Sequence, residues 1–386
     1  MLSSARSAKE HRRYKGWSFH ASCLEEPVED KTVQIFEKVK TNQHEQLVFW
    51  LDKVANLKAM IAIHDSTLGP AIGGVRLLKY DSEEDAIDDA LRLSKSMTYK
   101  ASGVGVNFGG GQAVIMKPDG PIDSDALWWS FGRFVDSLGG RFIAGEDVGT
   151  SVEDMEKARQ ETQWVVGISH ALGGGGDPGP ISAHGVYSGI TACVEKAFGE
   201  SSSMEDIRVS LQGLGHVGYA LARQLKVAGC KVYGCDIEAE KAEGAKRKLG
   251  IEIVPPDRIF DIETDIFSPC ALGGIITEDV AERLNCKIVA GAANNQLADD
   301  SLGRVLHERG IIYAPDFIIG AGGLINVCNE IEGYDQSRAL AQAGNIHDMI
   351  KKIIDYSEEK SISTLEAAMV LARQRLDRVK RLRGLI

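Results

Sequence analysis

The stretch Val209-Ser-Leu-Gln-Gly-Leu-Gly-His-Val-Gly218 decides the fold of the second half of the chain. Its first four residues are typical of a buried strand, and the glycines that follow, Gly213, Gly215 and Gly218, match the pattern GxGxxG. The first glycine makes a tight turn, the second lets the backbone approach a pyrophosphate, and the third lets helix and strand pack closely. The N-terminus of the next helix holds the phosphates, which makes His216 and Val217 expected cofactor-binding residues.

An acidic residue follows the motif at the expected distance. The predicted strand 231–235 ends directly before Asp236, which lies 18 residues after the last glycine of the motif. A carboxylate at this place accepts hydrogen bonds from the adenosine ribose hydroxyls and repels a 2′-phosphate. We therefore expect a dinucleotide site that prefers NAD to NADP. A glycine-rich turn with no ligand is the alternative interpretation.

Strands alternate with helices throughout this half of the chain. Strands are predicted at 208–212, 231–235, 265–267, 287–290 and 311–314, with helices at 217–228 and 238–249. This alternation predicts a doubly wound parallel sheet, the Rossmann fold. A helix at 185–198 precedes the sheet, and the loop 173–180 before that helix is predicted to be a hinge. Apolar residues at helical spacing in 346–354 and 365–376 predict C-terminal helices.

The first half of the chain carries the residues expected to do chemistry. Strands are predicted at 33–36, 47–51, 59–63, 104–108 and 113–116, and glycine-rich turns at 69–74, 109–111 and 145–149. A helix that begins after Asp81 keeps its apolar period as far as Met97 and is followed by Lys100. Lys100 suits a substrate carboxylate, and Asp147, at the end of a predicted strand, suits an amine or a proton. The alternative is that Lys100 and Asp147 pair with each other or lie on the surface.

Composition narrows the classes of function. The 386 residues suffice for two or three domains, and 44% of them are apolar. The net charge of −11 argues against a nucleic-acid or anionic-membrane binder, since both need positive charge. No apolar run is long enough to span a membrane. Seven dispersed cysteines without a CxxC pair indicate reduced thiols and argue against a metal site.

Residues 1–31 differ from the rest of the chain. Basic residues stand here among serine, alanine and aromatic residues, and Glu10 is the only acid before Glu25. We expect a disordered extension on a cytoplasmic protein. The alternative is a transit peptide, which would place the protein in an organelle matrix.

Seven collinear segments resemble the Glu/Leu/Phe/Val dehydrogenase family, in particular its leucine, phenylalanine and tryptophan branch. They are HDSTLGPAIGGVR (64–76), ALRLSKSMTYK (90–100), GGGQAVI (109–115), GEDVGTSVEDM (145–155), DIFSPCALGG (265–274), VAGAANNQL (289–297) and YAPDFIIGAGGLINV (313–327). The resemblance extends from about Val33 to about Arg375. It implies an α/β substrate domain with a mixed sheet at 32–180, completed by about 358–386, and an NAD-binding Rossmann domain at 181–357. It also implies a homo-oligomer, a dimer or an octamer.

The resemblance also implies roles for individual residues. Lys100 would bind the α-carboxylate of an amino acid, and Asp147 would contact the amino group and handle protons. The other expected substrate-binding residues are Gly73, Gly74, Met97 and Gly145, and the other expected cofactor-binding residues are Ser182, Asn294 and Gly320. Hydride would pass between the substrate α-carbon and the nicotinamide across the cleft. We therefore expect oxidative deamination of a branched-chain or aromatic L-amino acid, or the reverse reaction.

The sequence departs from the family pattern at three places. Gln112 stands where the family has the lysine that activates water and stabilises the carbinolamine, and an amide cannot act as a general base. Gly320 stands where the family usually has an asparagine. Gly145 replaces a residue that is often alanine in leucine enzymes, which would enlarge the pocket for the substrate side chain.

Three interpretations remain open at the level of sequence. In the first interpretation, the chain is an amino-acid dehydrogenase in which another group or a water replaces the lysine. Alternatively, it is a redox enzyme of altered chemistry, acting for example on an imine that needs no activated water. In the third interpretation, it is a non-catalytic NAD-binding homologue that keeps the fold.

Overall fold

Residues 33–385 are described by a computed structural model, and they form two β-sheets with flanking helices. The first sheet comprises β1 (Gln46–Asp52), β2 (Leu57–Asp65), β3 (Ala71–Leu78), β4 (Gly109–Met116) and β5 (Phe142–Glu146). Its order is β1-β2-β4-β3-β5, in which β3 runs parallel to β4 and β5, and β2 runs antiparallel to β1 and β4. The predicted mixed sheet is confirmed.

Four helices belong to this part of the chain. They are α1 (Ile35–Thr41), α2 (Glu83–Gly103), α3 (Ser124–Asp136) and α4 (Val152–Arg159). The Ser82 side chain caps α2 by accepting from the amide of Asp85, and three acidic residues in its first turn favour this end of the helix. Helix α3 buries Trp128, Phe131 and Phe134 against one face of the sheet, and α2 packs on β2 and β4.

The second sheet is parallel throughout. Its strands are β6 (Arg208–Gln212), β7 (Lys231–Cys235), β8 (Glu252–Ile253), β9 (Ile266–Pro269), β10 (Ile288–Val289) and β11 (Ile312–Tyr313), in the order β11-β10-β9-β6-β7-β8. The helices around it are α5 (Gly179–Phe198), α6 (His216–Val227), α7 (Ala239–Leu249), α8 (Glu278–Arg283), α9 (Leu302–Glu308), α10 (Asp316–Ile319), α11 (Gly322–Cys328), α12 (Gln336–Gly344), α13 (Ile346–Lys360) and α14 (Thr364–Leu382). This arrangement confirms the predicted doubly wound sheet.

The last helix returns to the first part of the fold, as the resemblance to the family implied. Helix α14 packs against α2, and the Ser102 hydroxyl donates to the carbonyl of Ala372 at 2.7 Å. The guanidinium of Arg375 donates to the carbonyl oxygens of Gly105 and Val106 at 3.1 and 2.9 Å. Residues 36–385 form one compact unit. The interpretations made for residues 1–31 lie outside the described residues.

Two predicted strands are wrong. Residues 33–36 include the start of α1 rather than a strand, because a short apolar run fits either structure and helix-forming Glu37 and Lys38 follow it. Residues 104–108 form a loop between α2 and β4. Gly105 has a φ of +80°, and Arg375 binds the loop carbonyls that a sheet would need. The helix predicted at 185–198 begins earlier, at Gly179, so it includes Ser182.

The glycines predicted as turns at 109–111 lie instead within β4, and Gly73 and Gly74 lie within β3. A Cβ on Gly110 would lie 2.1 Å from the backbone nitrogen of Thr98 and 2.4 Å from the carbonyl oxygen of Ser94. Helix α2 therefore approaches β4 more closely than any side chain would permit. The glycines serve this close packing rather than a reversal of the chain.

We expect Gly110→Ala to lower the free energy of unfolding by about 1–3 kcal/mol, the usual range for overpacking a close contact. Gly244→Ala is the matched control, because Gly244 lies within α7 and a Cβ there meets no heavy atom of the described residues within 4 Å. That variant should gain about 0.5–1 kcal/mol from helix propensity. Chemical denaturation of both variants measures the difference. Equal stabilities would contradict the close approach of α2.

Neither a membrane span nor a metal cluster is found in the described part of the chain. Among residues 33–385, no helix is long and apolar enough to cross a membrane. Within the same range, no group of three or more histidine, cysteine, aspartate or glutamate side chains is arranged to hold a metal ion.

Candidate active site

A cavity of about 280 Å³ lies between the two sheets. From the side of the first sheet it is lined by Ile72, Gly73, Gly74, Arg76, Leu93, Ser96, Met97, Lys100, Gln112, Gly145, Glu146, Asp147 and Val166. From the side of the second sheet it is lined by Pro178, Asn294, Asn295, Asp316, Phe317, Gly323, Leu324 and Val327. A small-molecule pocket has this mixture of an apolar lining with a few converging polar groups.

Strand alternation places Gln112 in this cavity. Residues two apart on a strand share a face, so Gln112 shares the face of Gly110, on which α2 packs. Its side chain is only 2% exposed, and its Nε2 donates to Oδ2 of Asp147 at 3.0 Å and to its neighbour's carbonyl, Ala113 O, at 3.4 Å. Gln112 is thus a neutral donor to the carboxylate beside it.

Asp147 follows the last residue of β5, where the sequence predicted it. Its Oδ2 accepts a second hydrogen bond from Nε of Arg76 at 3.1 Å, and its backbone amide donates to the Thr150 hydroxyl at 2.9 Å. A Cβ on Gly74 would lie 2.5 Å from the Asp147 Cβ, so only glycine leaves room for this side chain. The strand end, the neighbouring glycine and two donors together fix the carboxylate.

Other glycines of the cavity differ in how tightly they are packed. A Cβ on Gly73 would lie 1.8 Å from the carbonyl oxygen of Gly111 in β4. At Gly145 the nearest atom would be Cγ2 of Val166, at 3.5 Å. Gly73 is therefore required by the sheet, whereas position 145 has room for a methyl group and leaves that volume to the cavity.

Lys100 lies near the end of α2 and reaches across the cleft. Its Nζ donates to Oδ1 of Asn294 at 3.2 Å, and the carboxylate of Asp316 lies near it. Burial lowers the pKa of Lys100, and the negative charges of Asp316 and Asp147 oppose that shift. Lys100 and Asp147 line the same cavity without forming the direct ion pair that was the alternative interpretation.

Sequence reasoning missed Arg76 and Asp316. Both lie in segments that carried the resemblance, yet no local pattern marks them as site residues. Burial raises the pKa of Asp316, an effect that the charge of Lys100 and the backbone amide of Asn295 oppose. Asp316 accepts a hydrogen bond from that amide and so holds the loop that carries Asn294. Only the folded chain brings these groups together.

The dinucleotide motif has the shape that phosphates need. Gly213 has a φ of +94°, and a Cβ on Gly218 would lie 2.0 Å from the Gly213 carbonyl oxygen. At Gly215, by contrast, a Cβ would meet no heavy atom of the described residues within 4 Å, which leaves an open cradle for a ligand. Helix α6 begins here at His216 and Val217 without a side-chain cap from the described residues, so its first N–H groups are available.

Of three further expected cofactor residues, Asp236 and Ser182 lie around this cradle and the cleft, whereas Gly320 does not line the cavity. Oδ2 of Asp236 accepts from the amide of Leu214 at 2.8 Å, which fixes the carboxylate beside the glycine loop. Ser182 lies in the first turns of α5, and a Cβ on Gly323 would lie 3.4 Å from its Oγ. Gly320 ends α10 and is not among the residues that line the cavity.

A parallel sheet with a GxGxxG turn that faces a mixed sheet across a cleft of charged groups is the architecture of two-domain dehydrogenases. Sequence profiles match in both parts of the chain: the dimerisation domain of Glu/Leu/Phe/Val dehydrogenases at residues 44–164, and the Glutamate/Leucine/Phenylalanine/Valine dehydrogenase domain at 237–384. The chain belongs to the Glu/Leu/Phe/Val dehydrogenase family. It is an amino-acid dehydrogenase, an oxidoreductase that acts on CH–NH2 groups, and the family uses a nicotinamide cofactor.

Individual relatives agree with this assignment. A leucine dehydrogenase of Thermoactinomyces intermedius is 46% identical over 352 residues, 91% of this chain and 96% of the relative. An L-tryptophan dehydrogenase of Nostoc punctiforme is 46% identical over 349 residues, 90% of this chain and 97% of the relative. The crystal structure of L-tryptophan dehydrogenase from Nostoc punctiforme superposes with a TM-score of 0.81 at 44% identity, over 90% of this chain and 99% of that one.

Proposed function

We propose that this chain catalyses the NAD-dependent oxidative deamination of a hydrophobic L-amino acid, with Gln112 in the position of the family's lysine. In this reaction the amino acid, NAD⁺ and water give the 2-oxo acid, ammonium, NADH and one proton. The observation that carries the proposal is the convergence of Lys100, Gln112 and Asp147 on one cavity. Relatives at 42–46% identity carry the names leucine, tryptophan and phenylalanine dehydrogenase.

The cavity suits an amino acid with an apolar side chain. Lys100 supplies a positive charge for the α-carboxylate, which displaces the Asn294 amide oxygen from its Nζ. Leu93, Met97 and Val166 supply an apolar wall for the side chain. Because Gly145 leaves the volume of a methyl group open, the pocket suits a bulky aliphatic or aromatic substrate.

Asp147 is the group that handles protons in this account. When bound, the nicotinamide accepts hydride from the substrate α-carbon. The Asp147 carboxylate accepts a proton from the substrate ammonium group, while Gln112 and Arg76 hold it in place through Oδ2. Gln112 has no proton to exchange near neutral pH, so it cannot activate the water that hydrates the imine. Hydride removal is therefore supported by this site, and imine hydration is its slow step.

A second candidate is the oxidation or reduction of an imine that needs no activated water. The hydrogen bond from Gln112 to Asp147 favours this second candidate. Within this pair only the Asp147 carboxylate can exchange a proton, so the pair contains no second base to activate water. Assays of NADH formation with L-leucine, L-phenylalanine and L-tryptophan test the first candidate. Absence of NADH with a wide set of L-amino acids would overturn it in favour of the second.

The cofactor in this proposal is NAD rather than NADP. The open cradle over Gly215 and the fixed carboxylate of Asp236 fit an adenosine ribose with a free 2′-hydroxyl. We expect Asp236→Ser to narrow the preference for NAD by raising KM for NAD and lowering KM for NADP. The exposed Asp257→Ser is the control and should leave both constants unchanged. A variant with an unchanged ratio of the two kcat/KM values would contradict the role of Asp236.

The lowered pKa of Lys100 predicts how substrate binding depends on pH. The protonated lysine binds the carboxylate, so binding is complete below its pKa and is lost as the pH rises through that pKa. Because burial lowers the pKa below the ordinary value of 10.5, KM for the amino acid should rise at a lower pH than an exposed lysine would permit. Lys100→Arg keeps its charge and should move this rise to higher pH. An identical alkaline limb in both proteins would exclude Lys100 as its origin.

We further infer that the chain forms a homo-oligomer through its first sheet. Strand β1 is an edge strand of that sheet, and Phe49 and Leu51 on it are 49% and 64% exposed. Phe36, in α1, and Val54, which follows β1, are 90% and 96% exposed. An exposed apolar edge of this kind is a site for pairing with another chain, and the profile matched at 44–164 is that of a dimerisation domain. We also propose a cytoplasmic location, because the dispersed cysteines indicate reduced thiols.

A further inference from the structure

The carboxylate of Asp147 is held by one of its two oxygens. Both side-chain donors, Nε2 of Gln112 and Nε of Arg76, bind Oδ2, at 3.0 and 3.1 Å. Oδ1 accepts no side-chain hydrogen bond from residues 33–385. A carboxylate anchored in this way presents its other oxygen for exchange of a proton with a substrate.

Arg76 is shared between two carboxylates. While its Nε binds Asp147, its Nη1 donates to Oδ2 of Asp89 at 3.0 Å. The side chains of Arg76 and Asp89 are 17% and 15% exposed, so this contact is partly shielded from water. Asp89 in turn accepts from the Tyr80 hydroxyl at 2.8 Å and from Nη2 of Arg92 at 2.7 Å. Three donors from three points of the chain therefore fix Asp89.

We propose that Asp89 is a positioning residue for the reaction, acting through Arg76 to hold Asp147 with Oδ1 toward the substrate. This inference rests on the proposed function, since it assigns Asp147 the proton transfer. A planar guanidinium with two N–H groups on different carboxylates transmits the position of one to the other, because its fork is rigid. Truncation of Asp89 frees Arg76 to turn away, and Asp147 then keeps only the donor from Gln112.

The helix that carries Asp89 also carries Lys100. The two residues are 11 positions apart on α2, about three helical turns, so they lie on nearly the same face at a rise of about 16 Å. Leu93, Ser96 and Met97 lie between them and line the cavity. Helix α2 thus fixes the position of Lys100 directly and, through Asp89 and Arg76, the position of Asp147.

Asp89→Ala is the test, with Asp89→Asn as the conservative variant. We expect Asp89→Ala to slow NADH formation in the first turnover, the step in which Asp147 acts, about 10-fold, the scale of a small misplacement of a catalytic group, with KM for the amino acid within about 2-fold. Asp89→Asn keeps an oxygen that accepts from Arg76 and should recover most of this first-turnover rate. The control is Asp88→Ala on the same helix, whose exposed carboxylate pairs with Lys38 outside the cavity. It should leave the first-turnover rate and KM unchanged.

Crystal structures of the same variants give a readout that does not depend on activity. In Asp89→Ala we expect the contact between Arg76 Nε and Asp147 Oδ2 to be lost while the backbone of β3 and β5 stays in place. An intact contact, or an unchanged first-turnover rate in an active enzyme, would overturn the positioning role. A fall in the first-turnover rate that merely tracks melting temperature, without recovery in Asp89→Asn, would do the same. If the wild-type chain forms no NADH with any L-amino acid, the proposed function fails, and the crystal structures still decide the geometry.

Discussion

Gln112→Lys should raise the steady-state turnover of L-amino acids by about 10²–10⁴-fold, the usual contribution of a general base. The wild-type glutamine lies in the cavity wall and contacts Asp147 through its amide. A lysine is one atom longer, and the cavity of about 280 Å³ leaves room for its ammonium group. In its neutral form the new amine accepts a proton from water as that water adds to the imine, the step that the amide cannot assist.

Gln112→Leu is the matched control for this result. It removes the hydrogen bond to Asp147 without supplying a base, so its turnover should lie below that of the wild type. The rate of NADH formation with L-leucine and with L-phenylalanine at saturating NAD is compared among the wild type, Gln112→Lys and Gln112→Leu. Equal turnover in the wild type and Gln112→Lys would contradict the account, because it would show that another group already activates water.

Asp147→Asn should lower turnover by about 10²–10⁴-fold in both the wild-type and the Gln112→Lys backgrounds, because it removes the group that we propose as the acceptor of the substrate proton. Asparagine has the same shape as aspartate, so Gly74 still accommodates it. Arg76 keeps Asp89 as a partner, and the variant should therefore fold. Activity and the melting temperature are measured together, so that loss of chemistry is separated from loss of structure.

The exposed residue Asp119 provides the control for this substitution. Its carboxylate pairs with Lys79 at 3.0 Å with both side chains in solvent, a contact of little energetic weight. Asp119→Asn should leave turnover and melting temperature unchanged. Substantial residual activity in Asp147→Asn would assign the proton transfer to a different group of the cavity.

Periodic and motif-based features were predictable from the sequence. The glycine motif, the acid after β7 and the strand that ends at Asp147 each depend on residues close together in the chain, and each lies where it was predicted. The alternation of strands and helices likewise predicted the parallel sheet. These features need no knowledge of distant contacts, because local backbone preferences and the apolar period determine them.

Features that depend on distant contacts were not predictable. The segment 104–108 has strand-like residues, but its carbonyl groups bind Arg375, some 270 positions away along the chain. The run Gly109–Gly111 suggested a turn. In the structure these glycines lie in a strand, and the absence of side chains lets α2, the end of β2 and Phe142 pack closely against it. Arg76 and Asp147 are 71 positions apart, so their pairing exists only in the fold.

A stopped-flow measurement of NADH formation tests the central claim most directly. Wild-type enzyme is mixed with saturating NAD and amino acid, and absorbance is followed through the first turnover. We predict a rapid burst of NADH, from hydride removal at an intact site, followed by a slow steady state limited by imine hydration. Gln112→Lys should accelerate the slow phase and leave the burst rate unchanged. A wild-type trace without a burst, in which Gln112→Lys accelerates the first turnover itself, would contradict the account.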